Sequence, residues 1–218
     1  MKLLYINPNS TAAMTDAMVA AARHVTGAEV LGWTNTAGPP AIQGPEDGVA
    51  AVPGLLALLP AARTAGVDAI IIGCFDDTGL AELRHAAHCP VLGIGQAAYH
   101  MAQLMGQSFS VVTTLAVSVP VIAGNIASGG FGAQCRAVHP SDIPVLEVEA
   151  AAPETLARLA SVIRRAAAED GADSIVLGCA GMAPLLAQLH AMTDVPLVDG
   201  VTAAACLAEA MIRFRPTA

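Results

Sequence analysis

The chain has 218 residues, 55% hydrophobic and 13% charged, with ten Lys+Arg against 18 Asp+Glu and a net charge of −8. That length holds one compact domain or two small lobes with a real core, and the acidic balance argues against nucleic acid as a partner, whose binding needs clustered Lys and Arg. The only lysine is Lys2, which argues against Schiff-base chemistry, pyridoxal phosphate included, because such a lysine must stand beside its cofactor; no cofactor is expected.

Aromatics make up only 3% of the chain, so Ala, Leu, Val and Ile must fill the core. The five cysteines (Cys74, Cys89, Cys135, Cys179, Cys206) are odd in number and none pair in C-x-x-C spacing. With no apolar leader read at the N-terminus, reduced thiols and a cytoplasmic location are expected. Mean hydropathy is high, +0.59, and no charged residue lies between Arg84 and Arg136. Ser, Thr, Pro, Gly and Asn interrupt the most apolar part, Ser108 to Ala127. Buried α/β elements therefore explain the hydropathy better than a membrane span.

In chain order, Leu3–Ile6 reads as a strand running into Asn7-Pro8-Asn9-Ser10-Thr11, a turn with Ser or Thr as helix N-cap. An Ala-rich helix to about His24, a strand over Glu29–Trp33 and a Gly/Pro/Asn loop over Thr34–Gly44 follow. Val49–Ala65 is helical, with Pro60 expected to kink or end it. Next come a strand over Val67–Gly73, a helix over Gly79–Ala87, a strand over Pro90–Gly95 and a helix over Gln96–Met105. The second half gives strand Phe109–Thr113, a helix after Val119, a strand near Val145–Val148 and helix Pro153–Asp170. Strand Ser174–Leu177, helix Pro184–Met192, strand Pro196–Val198 and helix Thr202–Phe214 complete the order. Such alternation predicts an α/β fold with mainly parallel sheets.

Gly66-Val-Asp-Ala-Ile-Ile-Ile-Gly-Cys74 matches Gly171-Ala-Asp-Ser-Ile-Val-Leu-Gly-Cys179 at an offset of 105 residues, and Leu4–Asn7 corresponds to Val111–Thr114 at 107. Two similar lobes related by pseudo-twofold symmetry are expected, with the active site between them. The first would span residues 1–95 plus about 200–218, and the second about 96–199. Ligands of open α/β sheets bind beyond the carboxyl ends of the strands, where Cys74 and Cys179 occupy equivalent positions. Thiols facing one cleft from opposite sides could remove a proton from one face of a carbon and return another to the opposite face. The helix N-termini that follow them would supply N–H groups to lower the thiol pKa and stabilise an enolate. Cys89, Cys135 and Cys206 read as small buried apolar residues.

Several stretches together resemble the aspartate/glutamate racemase superfamily, in its hydantoin/allantoin racemase branch. They are Ile6–Thr11, Gly73–Leu80, Pro90–Gly95, Phe109–Thr114, Asp142–Leu146 and Ile175–Met182. The resemblance implies cofactor-independent racemisation by Cys74 and Cys179. It also implies a substrate-binding set of Asn7, Asn9, Ser10, Thr11, Phe75, Asp76, Thr113, Thr114, Ala180 and Gly181. Phe75-Asp76-Asp77-Thr78 departs from the Gly-Asp-Pro version of the turn associated with hydantoin racemases, which bears on substrate size. The presence of Cys74 argues against the related decarboxylase branch.

No Arg or Lys adjoins either cysteine or the Asn7–Thr11 loop. A dicarboxylate usually recruits an Arg fork, so a neutral ring such as a 5-substituted hydantoin or allantoin is expected. An aspartate/glutamate-type racemase and a non-catalytic small-molecule binder are the alternatives. His85-x-x-His88 beside Cys89 lacks further ligands and reads as solvated or capping, so no metal is expected. Asp76 and Asp77 either orient a thiol or substrate or cap the following helix. Beyond a small-molecule substrate, the expected partner is a second copy of the chain in a homo-oligomer, with neither nucleic acid nor membrane.

Overall fold

Strands too apolar to leave either face in water must be covered on both sides, and that requirement organises the chain. The computed structural model describes residues 1–214, so residues 215–218 of the segment assigned above to the first lobe lie outside it. The first half runs β1 (Lys2–Asn7), α1 (Ala12–Arg23), β2 (Glu29–Thr34), α2 (Pro45–Thr64), β3 (Ala69–Ile72), α3 (Leu80–Ala86), β4 (Val91–Gly93) and α4 (Ile94–Met105). The second runs β5 (Phe109–Thr113), α5 (Val119–Ser128), β6 (Cys135–Pro140), α6 (Val145–Ala150), α7 (Pro153–Asp170), β7 (Ser174–Gly178), α8 (Leu186–Met192), β8 (Leu197–Asp199) and α9 (Gly200–Phe214). Each half forms a four-stranded sheet, ordered β2-β1-β3-β4 and β6-β5-β7-β8. All pairings are parallel, and the shared order makes the halves two lobes of one design.

Alternate residues of each strand serve different cores. Leu3 and Tyr5 of β1 and Ala69 and Ile71 of β3 point into a central core that also takes Phe109, Val111, Val176 and Val198 from the other sheet. Leu4, Ile6, Ile70 and Ile72 point outward, under Leu55, Leu59 and Ala62 of α2. Val112, Ile175 and Leu177 do the same under Leu159, Ile163 and Ala166 of α7. Each aliphatic side chain so buried contributes roughly 1.5–3 kcal/mol, against about 1 kcal/mol for a helix cap. Burial therefore fixes the layers, while caps trim their ends.

Between the sheets lie α4 and α9, packed on each other, and each also touches strands of both lobes. The Tyr5 hydroxyl donates to the Val201 carbonyl at 2.7 Å, tying β1 to α9. The N-termini of α4 and α9 meet so closely that a Cβ on Gly200 would stand 2.3 Å from the Ile94 carbonyl oxygen. Both ends are capped by a carboxylate, by two routes. Asp199 closes β8 and accepts from the Val201 and Thr202 N–H groups directly. The equivalent position in the first lobe is Gly93, where Asp77 reaches across from the loop after β3. Its oxygens accept from the Gly95 and Gln96 N–H groups at 2.9 and 2.8 Å. A Cβ on Gly93 would collide with the Asp77 carboxylate at 1.9 Å.

The structure departs from the sequence reading in three places. Val145–Val148 is not a strand but lies in helix α6: Val145 and Val148 are buried at helical spacing while Leu146 is 48% exposed. The fourth strand of the second sheet is instead Cys135–Pro140, an edge strand only partly buried, whose polar sequence masks it. Its terminal proline is tolerated because an edge needs no outward donor. Finally, α2 runs through both Pro53 and Pro60, held by its continuous buried face of Ala51, Leu55, Leu59 and Ala62. Among the described residues no helix is long and apolar enough to cross a membrane.

Removing the borrowed cap should cost measurable stability. Asp77→Ala leaves two N–H groups of α4 unpaired, and a loss of about 1–2 kcal/mol in urea denaturation is expected. Asp77→Asn, which keeps acceptor capacity, should retain most of the stability.

Candidate active site

β3 and β7 end side by side with their lobe partners, and the chain turns there. Past β3, the Gly73 N–H donates to the Ile6 carbonyl, and Cys74 opens a tight turn in which its own carbonyl accepts from Asp77 N–H at 3.0 Å. Asp77 takes a left-handed conformation, with φ of 52°. Past β7, Cys179 leads a 3-10 turn, Ala180–Leu185, and its carbonyl accepts from Met182 N–H. The Thr113 hydroxyl donates to the Gly178 carbonyl at 2.9 Å, fixing β5 beside Cys179. A Cβ on Gly178 would lie 2.9 Å from the Val112 carbonyl oxygen, so glycine is needed for the strands to approach here.

Cys74 and Cys179 line one cleft, from opposite lobes, together with Asn9, Met14, Ile42, Phe75, Asp76, Thr113, Thr114, Ser118, Val145 and Ala180. Its open volume is about 30 Å³, room for a water or two at the roughly 10–15 Å³ each needs. Of these, Ile42 comes from the loop between β2 and α2 and Val145 from the start of α6. The Val145 N–H donates to the Gln43 amide oxygen at 3.2 Å, joining these two segments across the lobes.

Both thiols resist ionisation. Burial pushes Cys179 up to about 11, aided by the charges of Asp76 and Glu149 and opposed by the Gly181 N–H. Cys74 is raised further, first by burial and then by the Asp76 charge, against donors from Thr78 and the Asp76 N–H. Each turn thus supplies an N–H to its sulfur, as the sequence suggested, but the net effect is opposite because desolvation outweighs one or two donors. The charge of Cys179 also acts on Cys74, so the two sulfurs belong to one electrostatic unit. Asp76 itself is raised to about 6 by burial and eased down by its bond to Ser118.

The residues expected to bind substrate divide into two groups. Asn9, Phe75, Asp76, Thr113, Thr114 and Ala180 line the cleft with the cysteines, whereas Asn7, Ser10, Thr11 and Gly181 do not. Asn7 is fully buried, its amide spent on Asn9, the Thr11 carbonyl and Thr15. The Thr11 hydroxyl donates to the Pro40 carbonyl instead of capping α1, and the Ser10 N–H donates to the Pro39 carbonyl. Gly181 acts through its N–H on Cys179. Phe75, 3% exposed, packs edge-on to Tyr99 at 5.6 Å between centroids, and Tyr99 stacks on Phe109. It anchors the Cys74 turn as well as lining the cleft.

Of the paired acids, Asp77 caps α4 and Asp76 faces the cleft. Neither caps the following helix α3, whose N-cap is Gly79. Met14, Ile42, Ser118 and Val145 were not anticipated. Met14 and Ile42 are apolar residues without a pattern of their own, Ser118 is a single serine in an apolar stretch, and Val145 was assigned to a strand. The His88 ring nitrogen lies 3.2 Å from the Val67 carbonyl oxygen, and His85 is exposed.

A sequence profile of the Asp/Glu/hydantoin racemase family matches residues 3–208. A hydantoin racemase of Rhizobium meliloti is 44% identical over 214 residues, covering 97% of this chain and 89% of that protein. Among solved structures, an allantoin racemase from Klebsiella pneumoniae superposes with a TM-score of 0.93 at 39% identity, covering 98% of this chain and 88% of the other. An allantoin racemase from Pseudomonas fluorescens gives 0.89 at 33%, covering 98% and 91%.

The raised thiols have a direct chemical signature. Alkylation of Cys179 by iodoacetamide, mapped by peptide mass spectrometry, is expected to rise about tenfold per pH unit from pH 7 to 10. The slope reads the thiolate fraction whatever the speed of entry. A plateau by pH 8 would show a thiolate already stabilised in the free protein.

Proposed function

This chain belongs to the Asp/Glu/hydantoin racemase family and is an isomerase of the racemase type, and we propose that it racemises a 5-substituted hydantoin or allantoin by a cofactor-independent, two-thiol proton transfer. The observation that carries this reading is the placement of Cys74 and Cys179, at matching strand ends of two similar lobes, in one cleft lined by no Lys or Arg.

One cysteine, as thiolate, takes the ring C5 proton. The electron pair passes into the neighbouring carbonyl as an enolate. The other cysteine, as thiol, returns a proton to the opposite face, so the pair ends with its protonation exchanged. The roles reverse for the other enantiomer. Because the substrate's own carbonyl holds the charge, a thiolate is a strong enough base without an electron-sink cofactor. Lys2, the only amine side chain, opens β1 at the end remote from Asn7 and is bonded to the Ala65 carbonyl, so it is out of reach of the cleft.

The N–H groups of Asp76 and Gly181 are directed to the sulfurs, so enolate stabilisation falls to side chains. The Asn9 amide is the best placed, since its N–H rests at 3.4 Å on the Met14 thioether, a weak acceptor that a carbonyl would displace. The open volume of about 30 Å³ is small for a ring, so on this reading the Ile42 and Val145 segments part to admit substrate. Breaking the 3.2 Å hydrogen bond that the Val145 N–H donates to Gln43 is a modest cost, on the order of 1 kcal/mol.

Cys74→Ser and Cys179→Ser are each expected to lower racemisation by at least about a hundredfold, followed by polarimetry. In deuterated water each variant should retain C5 exchange for one enantiomer only, by the surviving thiol. Full racemisation by both variants would sink the two-thiol reading. Faster turnover of L-aspartate than of any 5-substituted hydantoin or allantoin would assign the chain an amino-acid substrate instead.

A further inference from the structure

We propose that Asp76 is the specificity-determining residue of the cleft: its carboxylate accepts an N–H of a neutral ring or ureido substrate and turns away substrates that bear a carboxylate. The assignment rests on the ring-substrate reading above.

Among the described residues lining the cleft, Asp76 is the one ionisable side chain apart from the two thiols. The other charge acting on Cys179 is Glu149, also acidic, so an incoming anion meets like charge and no counter-cation. The residue is held firmly. Its carbonyl accepts from the Asn125 amide at 2.9 Å, and its N–H is directed to the Cys74 sulfur. Its carboxylate is bonded to Ser118, which also lines the cleft. A carboxylate has about four lone-pair sites, so one hydroxyl leaves it room to accept more. Asp77, one residue on, contrasts with it: both its oxygens are spent on the α4 cap.

Two other roles for Asp76 fail. It does not cap α3, whose N-cap is Gly79. Nor does its charge help the chemistry, because it hinders ionisation of both sulfurs. A group that works against thiolate formation is explained by what it binds. A substrate N–H placed on the carboxylate screens that charge from both sulfurs, whereas a substrate carboxylate adds to it. Discrimination therefore acts on binding and on proton transfer together. Hydantoin rings and ureido groups are rich in N–H donors and suit this acceptor.

The test compares hydantoin-5-acetamide with hydantoin-5-acetate, near-isosteres that differ by one charge, in the wild type and in Asp76→Asn. The asparagine keeps an acceptor for N–H and removes the charge. The wild type should favour the amide in kcat/KM, and in Asp76→Asn that preference should fall by about tenfold or more, since like charges brought together cost several kcal/mol. The preference is a ratio within one preparation, so partial misfolding cancels from it. A merely structural role for Asp76 would lower both substrates alike and leave the ratio unchanged, which would overturn the assignment. Equal use of both hydantoins by the wild type would also overturn it while leaving the ring-substrate reading intact. Failure of the wild type on every hydantoin and on allantoin would remove that reading, and the assignment with it.

Discussion

The structure depends on the burial of both faces of two small parallel sheets, with α4 and α9 shared between them. A sheet covered on both faces can present chemistry only at the ends of its strands. Two such sheets, packed through a common helical layer, bring two sets of strand ends to one place. The cysteines at the ends of β3 and β7 thus meet in one cleft as a consequence of how the cores close. The same packing drives the helix N-termini together at Gly200 and Ile94, and each end then needs an anion or acceptor. Asp199 supplies one from its own strand. Asp77 supplies the other from the Cys74 turn, so the first lobe joins that turn to the shared helical layer.

Desolvation sets the chemistry of the thiols. Each sulfur receives an N–H from its turn, a device that favours thiolate, yet burial and the Asp76 charge leave both raised. At pH 7 a thiol near 11 is ionised in roughly one molecule in ten thousand. Both shifts favour the protonated thiols, so forming a thiolate adds to the cost of using either one as a base. Under the proposed two-thiol transfer, the burial that imposes this cost would also keep bulk water from an enolate. The two effects have one cause, and neither can be removed without the other.

Much of this was legible in the sequence, for physical reasons. Strands buried on both faces are continuous apolar runs, and β1, β3, β5 and β7 stood out as such. The repeat linking Gly73-Cys74 to Gly178-Cys179 marked the two thiols, because duplicated lobes place equivalent residues at equivalent strand ends. Edge strand β6 was illegible, since exposed Arg136 and half-buried His139 give it no apolar signature. Helix α6 was too short for two valines to separate helical from strand spacing. Asn7, Ser10 and Thr11 do not line the cleft: a turn that sharp uses its polar groups for itself, and they bond to one another and to the Pro39-Pro40 loop. The Ile42 and Val145 part of the lining was invisible for a different reason. Their segments meet only when the lobes assemble, and no local pattern encodes a contact between residues 102 positions apart, as Gln43 and Val145 are.

The lobes are similar but not equal, and a racemase constrains what inequality can do. Asp76 belongs to the first lobe and stands next in the turn to Cys74, which is raised more strongly than Cys179. The two thiolates therefore differ in free energy, and under the proposed two-thiol transfer so do the two singly ionised forms that act on opposite faces. For a substrate with one stereocentre the equilibrium constant is unity, so kcat/KM must be the same in both directions whatever the difference between the thiols. Asymmetry can appear only as paired changes in kcat and KM, with one enantiomer bound more tightly and turned over more slowly. The two similar lobes place their cysteines at equivalent strand ends. The carboxylate that makes them inequivalent leaves the balance of the reaction untouched and acts on which molecules enter it.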